Sequence, residues 1–317
     1  MSPKKQTVFQ QNVDLYPVVD GMSHLEQITL SGGLRAYRKP GTRDPLWSVT
    51  SILSNTISKG YGLLYWYNSQ GRKAVGEVLS ESVGKILTQD HLDFAIKEAG
   101  KRPEKSRDEA ASLGSRAHDL IADHVRSRID NRSDSPLDGP VPEDLQIIID
   151  SYKAWEEEAQ VEGYLSAETC VFSSIFQYAG TIDALAWTRE TADRPGRFLV
   201  LDWKTSKQIY NEMALQLASY VSALVYGLRM QYGLPESWDA FNHIEPWIIR
   251  LGKGPKPEFE ARRVKNTLLA FEGFISALHA WHALGMPGLT VTGRKTLNEY
   301  FDIPEDMPSV WEDDHGV

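Results

Sequence analysis

Two acidic residues and one lysine lie in two apolar segments of the chain. Residues 199–206 read Leu-Val-Leu-Asp-Trp-Lys-Thr-Ser after an Arg-Pro-Gly turn signal, and such a short apolar run predicts a buried β-strand. Because side chains on a strand alternate between faces, Asp202 and Lys204 share a face at its end. A second strand, predicted over 177–187, carries Asp183 near its centre.

Asp183 and Asp202 offer hard oxygen ligands, which suit Mg²⁺ or Mn²⁺. Such a cation polarises a phosphate and activates a water. An amine such as that of Lys204 stabilises the charge on the attacking or leaving oxygen. Asp202 and Lys204 taken alone also fit an ordinary ion pair at a solvated strand end, which contributes little to stability. The surrounding motifs decide between these interpretations.

Three more positions complete the pattern. Gly180 precedes Asp183 in the sequence Gly-Thr-Ile-Asp, and Gln216 and Tyr220 are four residues apart on one face of a predicted helix that follows the Asp-Trp-Lys-Thr strand. This ordered set resembles the PD-(D/E)xK nuclease superfamily, specifically its RecB-like branch. Within that branch it is most similar to the mitochondrial genome maintenance exonucleases and their phage and bacterial relatives. An amphipathic helix with a polar edge is the alternative interpretation of Gln216 and Tyr220.

The resemblance implies a restriction-endonuclease-like α/β fold with a mixed central sheet flanked by helices. It implies a metal-dependent DNA exonuclease that hydrolyses phosphodiester bonds from single-stranded ends during replication, recombination or repair. A recombinase, a helicase or a single-strand-binding protein would be further partners. Two alternatives stay open: a DNA-binding subunit of a recombination complex that does not cleave, and a restriction-like endonuclease.

The same resemblance assigns roles to the residues around the two strands. Lys204 would position or deprotonate the attacking water, Gln216 would hold that lysine or touch DNA, and the backbone carbonyl of Trp203 would be a main-chain metal ligand. Asp183 and Asp202 would be the carboxylate ligands.

Two further side chains match family positions outside these strands. His118, in Gly-Ser-Arg-Ala-His at 114–118, matches a helix whose imidazole is a metal ligand, and Gly114 would let that helix approach closely. Glu168 matches a glutamate that precedes the Gly-x-x-Asp strand. The alternatives are an ordinary packed histidine at 118 and a solvated strand residue at 168.

Aromatic and hydroxyl side chains are candidates for contacting the nucleic acid. Tyr65 and Trp66 can form a platform for unstacked bases, with Lys59 near the backbone, although such aromatics are also common in protein cores. Thr205 and Ser206 can donate to a phosphate, or they can cap a turn.

The bulk composition limits the class of protein. The 317 residues are 41% hydrophobic and 24% charged, as in ordinary globular proteins. No apolar run approaches the roughly 20 residues of a membrane helix, and the start lacks a signal-peptide core, so we expect a cytoplasmic protein without a membrane partner. A single cysteine, Cys170, excludes an iron–sulfur cluster held by four thiolates of this chain. The net charge of −9 argues against binding nucleic acid through bulk charge, although a carboxylate-lined metal site is itself acidic.

The periodicity of apolar residues predicts how the elements are grouped. Two short strands of a hairpin are predicted at 27–30 and 34–38. Helices dominate from there to about residue 163, including one over 104–129, and the main run of strands begins at about Tyr164. We therefore expect an N-terminal segment at 1–45, a helical subdomain at 46–163 that contributes the metal-ligand helix, a nuclease core at 164–285 and an irregular acidic tail at 286–317.

Overall fold

A computed structural model describes residues 25–30, 33–41, 45–57, 60–190, 196–233 and 244–284. Eight strands and six α-helices lie within these ranges. The strands are β1 Glu26–Thr29, β2 Arg35–Arg38, β3 Pro45–Ser48, β4 Val161–Ser173, β5 Tyr178–Thr188, β6 Phe198–Lys204, β7 Ile244–Leu251 and β8 Phe259–Arg263. The helices are α1 Val49–Thr56, α2 Gly60–Ser80, α3 Gln89–Ile129, α4 Gln146–Ala159, α5 Asn211–Tyr232 and α6 Thr267–Ala283.

All eight strands belong to one open, mixed sheet. Its order is β1-β2-β3-β5-β6-β7-β8, with β4 paired to β5 outside this path. The β3–β5 and β6–β7 pairs are parallel and the others are antiparallel. Helices pack against the sheet, so the expected α/β class with a mixed central sheet is confirmed.

The central strand β5 forms a fork in the sheet. One of its edges pairs with β4 along the whole strand. Its other edge is shared, because β3 pairs with Tyr178 and Ala179 whereas β6 pairs with residues 184–187. Residues 180–183 therefore lie on that edge between two diverging neighbours, in the part of the sheet where the predicted active residues are concentrated.

Two apolar layers cover the sheet. On one face, α1, α5 and α6 contribute to a core that includes Ile52, Leu217 and Phe274 together with Val200 of β6. On the other face, α3 and α4 pack Ile121 and Tyr152 against residues of β5 to β7. Because alternate residues of β6 enter opposite layers, the strand is buried on both sides, as its continuous apolar run predicts.

Helix α3 is longer than the sequence pattern predicts. A helix was expected to begin at about residue 104, after Pro103, but α3 begins at Gln89 and runs for 41 residues. Proline lacks an N–H and removes one helical hydrogen bond. Pro103 is nevertheless buried within α3, and α2 packs alongside, where Arg102 forms an ion pair with Glu77 at 2.7 Å. This tertiary packing offsets the lost hydrogen bond, so the prediction of a helix start after Pro103 was wrong.

Strands β1 to β3 join the sheet through the parallel pairing of β3 with β5. These three strands, which the sequence assigned to an N-terminal segment and the beginning of a helical subdomain, thus lie in the central sheet. The finer domain boundaries stay predictions. Across the described ranges, no helix is both long enough and apolar enough to cross a membrane.

Candidate metal centre

Asp183 and Asp202 face each other where β5 and β6 separate. The ladder between these strands ends at the pair Ala184 and Leu201, and the two aspartates occupy the next opposing positions. Both are buried, with 8% and 1% of their surface exposed. The backbone N–H of Trp203 donates to Asp183 Oδ2 at 2.6 Å, so the carboxylate joins the two strands beyond the end of their ladder.

His118 and Glu168 reach Asp183 from two other elements. One ligand atom from each of these three side chains lies within 4.8 Å of the other two. His118, on α3, places Nδ1 3.4 Å from Asp183 Oδ2. Glu168 stands opposite Asp183 in the β4–β5 register, between the pairs Ala167–Ala184 and Thr169–Ile182. One imidazole and two carboxylates thus converge from a helix and two strands.

The backbone at Glu168 is unusual for a strand. Its φ is 52°, in the left-handed region that non-glycine residues rarely adopt. The alternation of β5 side chains between the two faces of the sheet is interrupted at Asp183, opposite Glu168. Ile182 packs in one apolar layer and Ala184, two residues later, packs in the other. Regular alternation would place both on the same face. A residue in such a sparsely populated conformation often marks a functional site, and here the irregularity lies at two potential metal ligands.

Lys204 and Gln216 both contact Asp202. The Lys204 Nζ lies 2.5 Å from Asp202 Oδ2, and Gln216 Nε2 donates to Asp202 Oδ1 at 3.2 Å. Gln216 Nε2 also donates to the Tyr220 hydroxyl at 3.0 Å. The amide of Gln216 therefore orients Asp202 and reaches Lys204 only through that carboxylate, and its predicted contact with DNA stays a prediction.

The electrostatics of this pair follow from burial. Burial raises the pKa of Asp202 to about 6, because the attraction of Lys204 only partly compensates and Asp183 adds repulsion. Burial by itself lowers the pKa of Lys204, but Asp202 and Asp183 together raise it above its usual value. The amine therefore stays an ammonium group at neutral pH.

The three converging side chains also influence one another. Burial and the neighbouring Asp183 raise the pKa of Glu168 to about 7. Burial disfavours ionised Asp183, but His118, Lys204 and the N–H of Trp203 outweigh it and lower its pKa. Burial lowers the pKa of His118 and Asp183 raises it by more. This crowding of acids is what a bound cation would relieve.

Two glycines permit the close approach of neighbouring elements. A Cβ at Gly114 would lie 2.9 Å from Thr205 Oγ1, so Gly114 brings α3 against the end of β6, one turn before His118. A Cβ at Gly180 would overlap the Tyr220 ring. Because Gly180 has no side chain, the Tyr220 ring fits against it, and in that position the Tyr220 hydroxyl accepts the hydrogen bond from Gln216.

The side chain of Trp203 points away from the site, as expected. It is buried against Tyr152 and Trp155, with ring centroids 5.3 and 4.9 Å away in edge-to-face geometry. Its backbone N–H bonds to Asp183. The proposed ligand role of its carbonyl stays a prediction.

The predicted DNA contacts have different outcomes. Ser206 Oγ donates to the Gln208 carbonyl at 2.8 Å, which matches the turn-capping alternative. Thr205 lies beside Gly114 at the site. Tyr65 is 77% exposed on α2, and the half-buried Trp66 contacts Tyr67 edge-to-face. Lys59 lies outside the described residues.

Tyr37 borders the site and was not identified from the sequence. It is buried on β2, and its hydroxyl lies 3.0 Å from Thr181 Oγ1, two residues before Asp183. The apolar alternation around residue 36 predicts a strand but does not indicate which strand will lie beside it. Only the pairing of β2 through β3 to β5 brings Tyr37 here.

Comparison with protein-family models finds no match, and comparison with curated proteins finds none either. The interpretation of the site therefore depends on its own geometry and chemistry.

Proposed function

We propose that this protein is a metal-dependent deoxyribonuclease of the PD-(D/E)xK type, RecB-like, acting as an exonuclease on single-stranded DNA ends. The observation that carries the proposal is the convergence of His118, Glu168 and Asp183 next to the Asp202–Lys204 pair at the fork of the sheet. Five chemically competent side chains from four separate segments meet in one largely buried cluster. A solvated ion pair at a strand end does not require such an arrangement.

The donor set fits a hard divalent cation. Carboxylate oxygens of Glu168 and Asp183 with one imidazole of His118 suit Mg²⁺ or Mn²⁺, and Asp202 would complete the site from β6. When bound, the cation would polarise the phosphodiester and lower the pKa of a water. The one cysteine, Cys170, supplies too few thiolates for an iron–sulfur cluster.

Lys204 has a more specific role in this proposal than the sequence suggests. Without a metal ion its raised pKa keeps the amine protonated, so that it donates hydrogen bonds. It would orient the attacking water or stabilise charge on the phosphate oxygens. Asp202 holds the ammonium in place, and Gln216 holds Asp202.

The substrate and cellular setting extend the proposal. The exposed ring of Tyr65 can stack on an unpaired base, which favours single-stranded DNA. Replication, recombination or repair in the cytoplasm is the setting in which such ends arise, with a helicase, a recombinase or a single-strand-binding protein as the partner.

The decisive experiment compares the parent with Lys204→Ala on end-labelled single- and double-stranded oligonucleotides in Mg²⁺, Mn²⁺ or EDTA. We expect metal-dependent loss of the label with the parent and a rate about 10²-fold to 10³-fold lower with the variant, since one charge-stabilising donor is removed. Lys85→Ala, an exposed lysine without a described ion pair, is the matched control and should keep the parent's rate.

Two other outcomes would redirect the assignment. Tight DNA binding in EDTA without cleavage in Mn²⁺ would favour a non-cleaving subunit of a recombination complex. Cleavage of covalently closed circular DNA would favour a restriction-like endonuclease, because an exonuclease needs an end.

A further inference from the structure

A cavity of about 180 Å³ lies at the C-terminal end of α4, on the sheet face opposite to α5. It opens between the helix end and strands β6, β7 and β8. Its walls include three aromatic rings and several small or aliphatic side chains: Trp155, Trp247, Phe259, Leu199, Ala159 and Ala261. None of these residues belongs to the metal centre.

The cavity exists because small side chains meet where the helix ends. Helix α4 ends at Ala159, and Gln160 adopts a left-handed conformation that turns the chain into β4. Ala159 and Ala261 are too small to fill the space between the helix end and the sheet. For comparison, a cavity of about 150 Å³ lined by apolar side chains can hold a benzene molecule. The space therefore suits one ring or a short branched aliphatic group.

The electrostatics of the cavity favour a cation. The last turn of α4 carries no basic residue, its Glu157 and Glu158 are exposed carboxylates, and a helix C-terminus is itself negative. Glu158 lines the cavity and is exposed. Aromatic faces such as those of Trp155 and Trp247 also attract cations.

The basic residue in the lining is already paired with a carboxylate. Arg197 Nη1 donates to Glu245 Oε1 at 2.7 Å. Glu245 also accepts from Arg263 at 2.7 Å and from Trp247 Nε1 at 3.1 Å, which fixes the indole ring in the wall. Among the described lining residues, Glu158 is thus left as a carboxylate that can meet a bound charge.

We propose that this cavity binds a small organic cation with an apolar or aromatic body. The body would lie among Trp155, Trp247 and Phe259, and the charged group would face Glu158 and the end of α4. This inference is independent of the proposed nuclease activity, because it uses no residue of the metal centre.

Calorimetric titration of the full chain with three matched probes tests the proposal: benzylammonium, benzyl alcohol and benzoate. We expect one saturable site for benzylammonium, affinity about 3-fold to 5-fold lower for the neutral alcohol, and no binding of benzoate. Equal affinity for benzoate and benzylammonium would overturn the proposal.

Variants locate the site. Ala261→Leu fills the cavity and should abolish binding, and Glu158→Gln should reduce the affinity for benzylammonium to that for the alcohol. The exposed Glu162→Gln on β4 is the control. Asp183→Asn should bind like the parent, and loss of binding in that variant would place the cation at the metal centre instead. If Ala261→Leu does not fold, the affinity of Glu158→Gln for benzylammonium and the comparison of the three probes still test whether the cavity binds a cation.

Discussion

The carboxylate of Asp183 accepts a hydrogen bond at 2.6 Å from the backbone N–H of Trp203, its neighbour across the fork between β5 and β6. This bond links the strands beyond their last ladder pair and directs Asp183 towards His118 and Glu168.

Gly114→Ala should weaken metal binding without destabilising the fold. The added Cβ would lie 2.9 Å from Thr205 Oγ1 and push α3, with His118, away from β6. The same change improves helix propensity by up to about 1 kcal/mol. We therefore expect a smaller Mn²⁺-induced rise in melting temperature and an unchanged or higher melting temperature in EDTA. Thr205→Ala removes the obstructing hydroxyl, so the double variant should recover the metal response; no recovery would contradict the steric explanation.

Gly180→Ala should destabilise the fold because its Cβ would overlap the Tyr220 ring. Overpacking of this kind costs about 1–3 kcal/mol. Urea unfolding measures the loss, and a cycle with Tyr220→Ala should show that the two changes are less than additive. Gly76→Ala is the control, since a Cβ at this exposed helical position meets nothing within 4 Å and should stabilise slightly. Additive losses at 180 and 220 would show that the ring does not set the requirement for glycine.

Glu168→Gln should stabilise the metal-free protein and weaken its response to metal. The substitution neutralises a buried acid opposite Asp183, which is costly to ionise without a cation. At pH 8 in EDTA we expect a higher melting temperature, by about 2–4 °C for each kcal/mol relieved. Adding Mn²⁺ should then raise it less than in the parent. The exposed Glu162→Gln on the same strand is the control, and a full metal response in Glu168→Gln would remove Glu168 from the ligand set.

Glu156 stabilises the packing of α3, α4 and β4 in a pH-dependent manner. Its Oε1 accepts from the hydroxyls of Tyr164 at 2.6 Å and Tyr152 at 3.1 Å, and lies 3.5 Å from His124 Nε2. Burial raises the pKa of Glu156, but His124, Tyr164 and Arg128 together lower it below its usual value.

A carboxyl with a lowered folded-state pKa stabilises the fold above its unfolded pKa, and this stability is lost as the pH falls through the folded pKa. Glu156→Gln should therefore cost about 1–3 kcal/mol at pH 7, and the difference from the parent should shrink below about pH 4.5. Chemical unfolding from pH 7 to pH 3 measures it, with the exposed Glu157→Gln as control. A difference that is constant with pH would exclude an ionic role for Glu156.

Local sequence patterns were enough to predict the secondary structure around the site. The strand predicted within 199–206 is β6, the one predicted over 177–187 matches β5 to within one residue at each end, and the helix predicted to follow them is α5. These segments are readable because alternation and helical period are local properties of a continuous apolar pattern. The shared face of Asp202 and Lys204 follows from the same alternation.

Which of the candidate residues lie in contact depends on how distant segments pack together. Glu168 reaches Asp183 through a left-handed backbone conformation, and Gln216 contacts Asp202, not Lys204. The continuation of α3 beyond Pro103 and the contact between Tyr37 and Thr181 also depend on packing between distant segments. Local patterns report on a residue's own backbone and exposed face, whereas these contacts are set by sheet pairing and close approaches over long sequence separations.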